Sequence, residues 1–142
     1  MSTARRSIRA LRATDLPAAL ALWGHSEGIA LTESDNLDSL RAFLRRNPGL
    51  SSAAFLGGRL VGAVLCGHDG WRGFLYHLAV AREQRRQGIA RQLIHRSLDR
   101  LRGTGVRRCS IHLLADNASG MAFWRQAGWT PRADVMFMQR PI

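Results

Sequence analysis

Apolar residues recur along the 142-residue chain in two patterns, which together outline its secondary structure. Alternating apolar positions, or short apolar runs bounded by turn residues, predict strands, and apolar positions three or four residues apart predict helices. The first pattern predicts six strands, at residues 7–11, 51–56, 59–66, 72–80, 107–114 and 135–139. The second predicts four helices, which start at residues 14–17, at Leu37, at Gly88 and at Asn117.

The order and spacing of these elements predict the fold class. The dipeptide Gly57-Gly58 between two strands is typical of a tight hairpin turn. The order β-α-α-β-β-β-α-β-α-β predicts one α/β (α+β) domain over residues 1–142, with a mixed sheet. The strands before and after the Gly88 helix are expected to be parallel, because a helix is the usual crossover between parallel neighbours.

Composition limits the class of protein. The length suits one domain with a sizeable core, and a hydrophobic fraction of 46% is typical of a soluble globular chain. No apolar run approaches the roughly 20 residues that span a bilayer, and no apolar stretch follows the arginine-rich start as in a signal peptide. We therefore expect a cytoplasmic protein with no membrane partner. Cys66 and Cys109 lie in apolar runs and are expected to be free thiols outside any metal site.

Charge is strongly basic and unevenly distributed. The net charge is +11, and all 21 basic residues are arginines. Nine arginines lie between Arg82 and Arg108, against two acids, whereas residues 13–40 contain no basic residue. That second stretch holds five acids: Asp15, Glu27, Glu33, Asp35 and Asp38. A basic region of this kind indicates an anionic partner, either a nucleic acid or a phosphorylated small molecule.

The most informative stretch is residues 78–90, where a strand ends, a basic loop follows and a helix starts at a small residue. The first turn of a helix has N–H groups without helical partners and a partial positive charge, so it can bind phosphate. Gly88 and Ala90 would let an anion approach the backbone closely. An ordinary strand–loop–helix junction with a solvated basic face is the alternative interpretation.

Two motifs carry a family resemblance. The pattern Arg85-x-x-Gly88-x-Ala90 resembles the coenzyme A motif of the GNAT superfamily of acetyltransferases, Gln/Arg-x-x-Gly-x-Gly/Ala. Residues 117–129, Asn-Ala-Ser-Gly-Met-Ala-Phe-Trp-Arg-Gln-Ala-Gly-Trp, resemble its second motif, Asn-x-x-Ala-x-x-Leu-Tyr-x-x-x-Gly-Phe. The resemblance covers essentially the whole chain. Residues 33–36 and 46–49 also resemble a bacterial branch of the superfamily typified by YpeA.

The resemblance implies an acetyl-CoA-dependent N-acetyltransferase without a metal. The backbone of Leu78 and Val80 would pair with the pantetheine arm, and the Leu78 N–H would polarise the acetyl carbonyl. The loop that follows would hold the pyrophosphate. The full set of cofactor-binding residues implied by the family is Leu78, Ala79, Val80, Arg85, Arg86, Gln87, Gly88, Ile89, Ala90, Arg91, Asn117 and Trp124. Asn117 is equally well interpreted as the N-cap of the last helix.

The two motifs leave several candidates for the catalytic base. Acetyl transfer needs a neutral amine, so a base or a water chain helps to remove its proton. The family's tyrosine acid corresponds to Trp124, whose indole cannot donate a proton usefully. His77 beside the thioester-binding backbone and Glu33 in the acceptor-side loop are candidate bases, and Asp69 is a weaker one. Strand alternation points Tyr76 away from His77, which favours a core role for Tyr76.

The sequence therefore predicts a transferase that uses acetyl-CoA and an amine acceptor. The acidic stretch favours a cationic acceptor, steered by Glu33 and Asp35. Because Trp124 replaces the family's tyrosine, the alternative is a non-catalytic CoA-sensing or partner-binding module on the same fold. We expect no nucleic-acid partner, since the basic region lacks interleaved aromatic residues and its arginines fall where a cofactor phosphate belongs. A monomer and a homodimer are both compatible with the sequence.

Overall fold

The computed structural model describes residues 5–142, which contain five strands and four helices. The strands are β1 (Arg6–Ala10), β2 (Ser52–Leu56), β3 (Arg59–His68), β4 (Gly73–Val80) and β5 (Cys109–Ile111). The helices are α1 (Leu16–Gly24), α2 (Leu37–Arg46), α3 (Ile89–Arg102) and α4 (Ala118–Gln126). No helix within this described part is long and apolar enough to cross a membrane.

One five-stranded sheet organises the fold, with the strands in the order β1-β2-β3-β4-β5. Strands β1 to β4 form antiparallel pairs with one another. Strand β5 runs parallel to β4 after the crossover through α3. The mixed α/β class and the parallel crossover predicted from the sequence are therefore confirmed. The hairpin turn is confirmed as well, because Gly57 and Gly58 both have positive φ and join β2 to β3.

Helices cover the two faces of the sheet. Ala63 of β3 belongs to the core cluster that includes Trp23 of α1 and Leu40 of α2. A Cβ placed on the neighbouring Gly62 would lie 3.0 Å from Leu93 of α3. Since successive strand residues point to opposite faces, α1 and α2 pack on one face and α3 packs on the other.

The chain forms two compact units. The first ends at His112 and contains the whole sheet together with α1, α2 and α3. The second unit, Leu113–Ile142, contains α4. Within α4, Trp124 is 9% exposed and packs edge-on against Phe123 and Trp129, with ring centroids 5.4 and 5.0 Å apart.

The predicted strand at 135–139 is wrong. These residues lie outside the five strands of the sheet in the described part of the chain. Their apolar side chains are exposed: Val135 by 62%, Met136 by 87%, Phe137 by 62% and Met138 by 85%. A strand is stabilised by hydrogen bonds to a neighbouring strand and by burial of one face, and this segment has neither. Its apolar composition alone gave the misleading signal.

Candidate functional site

Strands β4 and β5 pair with each other over only a short stretch. Their pairing covers three residue pairs, Gly73 with Cys109, Phe74 with Ser110 and Leu75 with Ile111. Strand β4 then continues alone on this side to Val80. Among the described residues, 76–80 therefore pair with no strand on this side, although the Val80 carbonyl accepts a hydrogen bond from the Arg85 side chain. An extended chain can add hydrogen bonds to such an edge like a further strand.

A β-bulge interrupts β4 where this open edge begins. Ala63 of β3 pairs with Ala79, but Leu65 pairs with Tyr76, so the single residue Val64 lies opposite both His77 and Leu78. His77 adopts the left-handed region at φ +59°, which is unusual for a residue with a Cβ. The structure thus places Leu78, the predicted source of the oxyanion N–H, inside the bulge.

The bulge also corrects the predicted orientation of Tyr76. The Tyr76 ring packs edge-on against Phe43 of α2, at a centroid distance of 6.3 Å, and the His77 ring packs against Trp23 of α1 at 5.3 Å. Both side chains therefore face the α1/α2 side of the sheet, because the extra residue breaks the alternation that holds in a regular strand. Burial raises the pKa of the Tyr76 phenol, so it is protonated at neutral pH.

His77 is held by a carboxylate that is 42 residues away in the sequence. The Nε2 atom of His77 lies 2.8 Å from Oδ1 of Asp35. The two side chains are only 19% and 10% exposed. Asp35 lies in the loop between α1 and α2, so this contact joins that loop to the bulge of β4. Nothing in the spacing of the two residues could have indicated it, because the pairing depends on how α1 and α2 pack on the sheet.

Trp23 completes the surroundings of the His77 ring. It is fully buried, and its Nε1 is the one buried side-chain nitrogen or oxygen in residues 5–142 without a hydrogen-bond partner. An unsatisfied buried N–H costs about 1–3 kcal/mol, which the packing of this large side chain offsets.

Glu33, the second predicted base, has a different environment. Its side chain is exposed in the same loop, and among residues 5–142 it makes no ion pair. The other four acids of residues 13–40 are paired: Asp15 with Arg9, Glu27 with Arg82, Asp35 with His77 and Asp38 with Arg41. Asp35 contacts the His77 ring, whereas Glu33 is exposed, and the part of either residue in steering a substrate stays a prediction.

The loop after β4 has the features expected of an anion site. Arg86 and Gly88 both have positive φ, at +65° and +80°, and Gly88 is the N-cap of α3. The first helical hydrogen bond runs from the Gln92 N–H to the Gly88 carbonyl, so the N–H groups of the preceding turn have no partner within the helix. No atom lies within 4 Å of the position that a Gly88 Cβ would occupy. Backbone donors and open space thus coincide at this turn.

Side chains of this loop divide into structural and exposed groups. Arg85 Nε donates to the Val80 carbonyl over 3.2 Å, so Arg85 ties the loop back to the end of β4. Arg82 forms an ion pair with Glu27 of the α1–α2 loop. Arg86 and Gln87 are exposed, and Ile89 is buried at 1% exposure where it anchors α3 against the sheet.

Asn117 and Trp124 lie in the second unit. The Asn117 side chain accepts a hydrogen bond of 2.9 Å from the Gly120 N–H, so it is the N-cap of α4. That interpretation is confirmed, while the contacts of both residues with coenzyme A remain predictions.

Three further sequence expectations concern side chains that carry chemistry. Asp69 accepts hydrogen bonds from the Arg72 and Trp71 N–H groups, which lower its pKa and make it the turn residue that was expected. Both cysteines are free, and burial raises the pKa of Cys66 to about 12 and that of Cys109 to about 11. Residues 5–142 contain no group of three or more histidine, cysteine or acidic side chains that could hold a metal ion.

Comparisons with known proteins agree with this geometry. The profile of the acetyltransferase (GNAT) family matches residues 8–129. An acetyltransferase of Yersinia enterocolitica is 28% identical over 135 residues, covering 95% of each chain. The fold is similar to the PaiA N-acetyltransferase of Thermoplasma acidophilum in complex with coenzyme A, with a TM-score of 0.75, 17% identity, and coverage of 89% of this chain and 90% of the other. An aminoglycoside N-acetyltransferase in complex with CoA gives a TM-score of 0.73 at 18% identity, covering 99% and 98% of the two chains.

Proposed function

The chain belongs to the acetyltransferase (GNAT) family and is an acetyl-CoA-dependent enzyme, and on this premise we propose that it transfers the acetyl group directly to a primary amine. The observation that carries the proposal is the open edge of β4 beside a bulge and a basic helix N-terminus. We further propose that residues 1–142 act as one domain, since the family match runs across the boundary between the two units. A cytoplasmic location, as a monomer or a homodimer, is part of the same proposal.

Acetyl-CoA fits the backbone features of the first unit. The pantetheine arm would pair with Leu78 to Val80, where β4 has no neighbour beyond its pairing with β3. The N–H groups between Arg85 and Ala90 would hold the pyrophosphate, with Arg91 beside them, because unpaired N–H groups and the dipole of α3 both favour an anion there. The Leu78 N–H would stabilise the negative charge that develops on the acetyl oxygen.

His77 is the base that this geometry favours. Its ring lies one residue from the amide that would polarise the acetyl carbonyl, on the face of the sheet that α1 and α2 cover. A positioned general base contributes about 10²–10⁴-fold to the rate of such a step. Glu33 remains the alternative base, and its exposed position suits it better to attracting the acceptor.

We propose that the acceptor is cationic. Glu33 is an exposed acid of the α1–α2 loop with no basic partner among residues 5–142, and an exposed carboxylate attracts an ammonium group over a Debye length. The relatives of known structure include an enzyme named for aminoglycosides, which are polycationic amines.

Trp124 favours one alternative, a CoA-binding module without catalysis. The indole replaces the phenol that would protonate the thiolate in the family, and it is buried in its own unit. A thiolate is only modestly basic, so the loss of this acid would slow the reaction and not prevent it.

Thiol release from acetyl-CoA over a panel of amines tests the function. The wild-type protein should release coenzyme A only when an amine is present, and His77→Gln should lower kcat by about 10²–10⁴-fold while acetyl-CoA affinity stays nearly constant. His95→Gln, on the exposed face of α3, is the matched control. Acetyl-CoA that raises the melting temperature, with no thiol release for any amine, would favour the CoA-binding module.

A further inference from the structure

We propose that Asp35 is a positioning residue for acetyl transfer, holding His77 in the tautomer whose Nδ1 accepts the amine proton. This inference rests on the proposed function and goes beyond it by naming the atom that acts as base. It starts from the 2.8 Å contact between Asp35 Oδ1 and His77 Nε2.

The contact determines where the ring proton lies. An ionised carboxylate can only accept hydrogen bonds, so a neutral His77 must carry its proton on Nε2 to donate to Asp35. The lone pair is then on Nδ1. An Asp35 carboxylate beside Nε2–H would also stabilise the imidazolium that forms after proton transfer, as the aspartate of a serine-protease triad does for its histidine.

Asp35 is itself fixed by the loop that carries it. Its Oδ2 accepts hydrogen bonds from the Thr32 N–H at 2.8 Å and from the Thr32 hydroxyl at 3.4 Å. Its own N–H donates to the Thr32 carbonyl at 2.9 Å. One carboxylate oxygen therefore binds the loop backbone while the other binds His77. Rotating the Asp35 side chain would break at least one of these contacts.

The His77 ring is fixed from the other side by its backbone and by Trp23. The positive φ of the bulge sets the direction of the Cβ, and the ring packs against Trp23 at a centroid distance of 5.3 Å. Strained backbone of this kind persists where the surroundings enforce it, and it concentrates at functional sites. Nε2 is occupied by Asp35, so Nδ1 is the ring nitrogen left for an acceptor amine.

The transfer step balances with these residues. A neutral primary amine attacks the thioester carbonyl carbon, the new C–N bond forms, and one amine proton passes to His77 Nδ1. The C–S bond breaks with its electron pair on sulfur, and the imidazolium returns the proton to the thiolate. The products are the N-acetylated amine and coenzyme A as a thiol, with no oxidant, reductant or metal required.

Two substitutions of Asp35 separate positioning from simple support of the loop. In Asp35→Asn the amide oxygen stays with the Thr32 N–H, so the amide NH₂ faces Nε2 and forces the ring proton onto Nδ1. We expect kcat to fall by about 10²–10⁴-fold, as when a triad aspartate is replaced by asparagine. Asp35→Ala removes the constraint without imposing the wrong tautomer, so it should lower kcat less. A purely structural role gives the opposite order, because asparagine preserves the loop better than alanine.

Nitrogen-15 NMR of the His77 ring gives a readout that needs no turnover. The neutral ring should be protonated on Nε2 in the wild type and on Nδ1 in Asp35→Asn. The double variant Asp35→Asn/His77→Gln should be no slower than His77→Gln alone, because Asp35 acts through His77. Asp38→Asn, an exposed acid on α2, is the control and should match the wild type.

These experiments test the positioning role of Asp35 separately from the proposed function. Wild-type thiol release with an amine tests the function itself, whatever Asp35 does. A wild-type ring protonated on Nδ1, an Asp35→Ala variant slower than Asp35→Asn, or multiplicative losses in the double variant would each overturn the positioning role. If Asp35→Asn fails to fold, the ring tautomer of the wild type still decides, because a neutral His77 protonated on Nδ1 would overturn the positioning role.

Discussion

Two residues other than glycine have positive φ in the described chain, His77 at +59° and Arg86 at +65°. Such a conformation costs of order 1–3 kcal/mol for a residue with a Cβ, so the surrounding structure must enforce it. The two residues flank the segment between the bulge of β4 and the first turn of α3. His77 directly precedes the backbone that is proposed to bind acetyl-CoA and Arg86 lies within it, which links the strain to function more readily than to packing.

Gly88 allows a prediction with a closely matched control. Gly88 and Gly58 have φ of +80° and +81°, and neither has an atom within 4 Å of a new Cβ. Gly88→Val and Gly58→Val should lose similar stability, because valine is strained equally in both places. Only Gly88→Val should lose acetyl-CoA affinity, since its side chain blocks the approach of the pyrophosphate. Calorimetry on both folded variants measures this, and equal affinities would contradict the placement of the phosphates.

Among the elements, α3 is the one whose position the site depends on. Ser97, fully buried, donates to the Leu50 carbonyl at 2.7 Å and shares a 2.7 Å hydrogen bond with Ser52 of β2. Arg96 adds hydrogen bonds to Ser52 and to the Gly49 carbonyl at 3.0 and 3.1 Å. This polar link holds the helix against the sheet from the side away from its N-terminus.

Replacing Ser97 tests that link. Ser97→Ala leaves a buried carbonyl and a buried hydroxyl short of partners, so it should lower the free energy of unfolding by about 1–3 kcal/mol. The exposed Ser39→Ala on α2 should stay within about 0.5 kcal/mol of the wild type. Urea denaturation measures both. A Ser97→Ala protein as stable as the control would show that the polar link contributes nothing.

The junction of β1 with α1 makes a prediction about pH. Burial raises the pKa of Asp15, but hydrogen bonds from Arg9 and from the Arg12 N–H outweigh it, so the pKa lies below the ordinary 3.8. A lowered pKa stabilises the fold above the unfolded-state value and loses that contribution as the pH falls through the folded-state value. Asp15→Asn should therefore flatten the loss of stability below about pH 4 in urea melts at a series of pH values. Identical slopes for the two proteins would contradict this role.

The elements show which parts of the structure the sequence could predict. Local signals were sufficient for the hairpin at Gly57-Gly58 and for the start of α3 at Gly88, since both depend on the backbone freedom of glycine. The bulge was not predictable, because the segment 72–80 reads as one apolar run whether or not a residue is inserted. For residues 135–139 the sequence predicted a strand that does not form. Strand propensity reflects burial on a pleated surface, and the apolar side chains of this segment are exposed.

The candidate site was predictable only in part for a related reason. The proposed phosphate-binding loop is contiguous in sequence, so its glycine and arginines were enough to predict it. The Asp35–His77 contact joins residues 42 positions apart and depends on the packing of α1 on β4. His77 could be named as a candidate from its neighbours in the chain, whereas its partner could not.

At the scale of the whole molecule, most of the acidic side chains between residues 13 and 40 are engaged in contacts. Asp15, Glu27 and Asp38 form ion pairs with arginines, Asp35 contacts the His77 ring, and Glu33 has no basic partner among residues 5–142. Glu33 is therefore an exposed acid without a basic partner in the α1–α2 loop of a chain whose net charge is +11. The proposed cationic acceptor would be repelled by the net charge and attracted at this loop, which would favour one direction of approach.

This arrangement predicts how turnover responds to salt. The KM for a cationic amine should rise with ionic strength in the wild type, because screening weakens the attraction to Glu33. Glu33→Gln should raise that KM at low salt and show little further salt dependence, whereas a neutral amine should be unaffected by the substitution. Steady-state kinetics with a matched pair of amines measures this. Equal KM values for both amines in both proteins would show that the acidic loop is only solvated.

The extra residue in the bulge of β4 means that the loss of a single codon could remove the proposed site. Loss of the codon for His77 would let Leu78 face Val64 and would leave the pairs on either side, Leu65 with Tyr76 and Ala63 with Ala79, in register. The shortened protein should keep the sheet, although Trp23 and Asp35 would lose their contacts with the His77 ring, and it should neither hold the acetyl group nor turn over. A single inserted residue is thus the difference between an ordinary hairpin strand and the bulged strand on which the proposed reaction site depends.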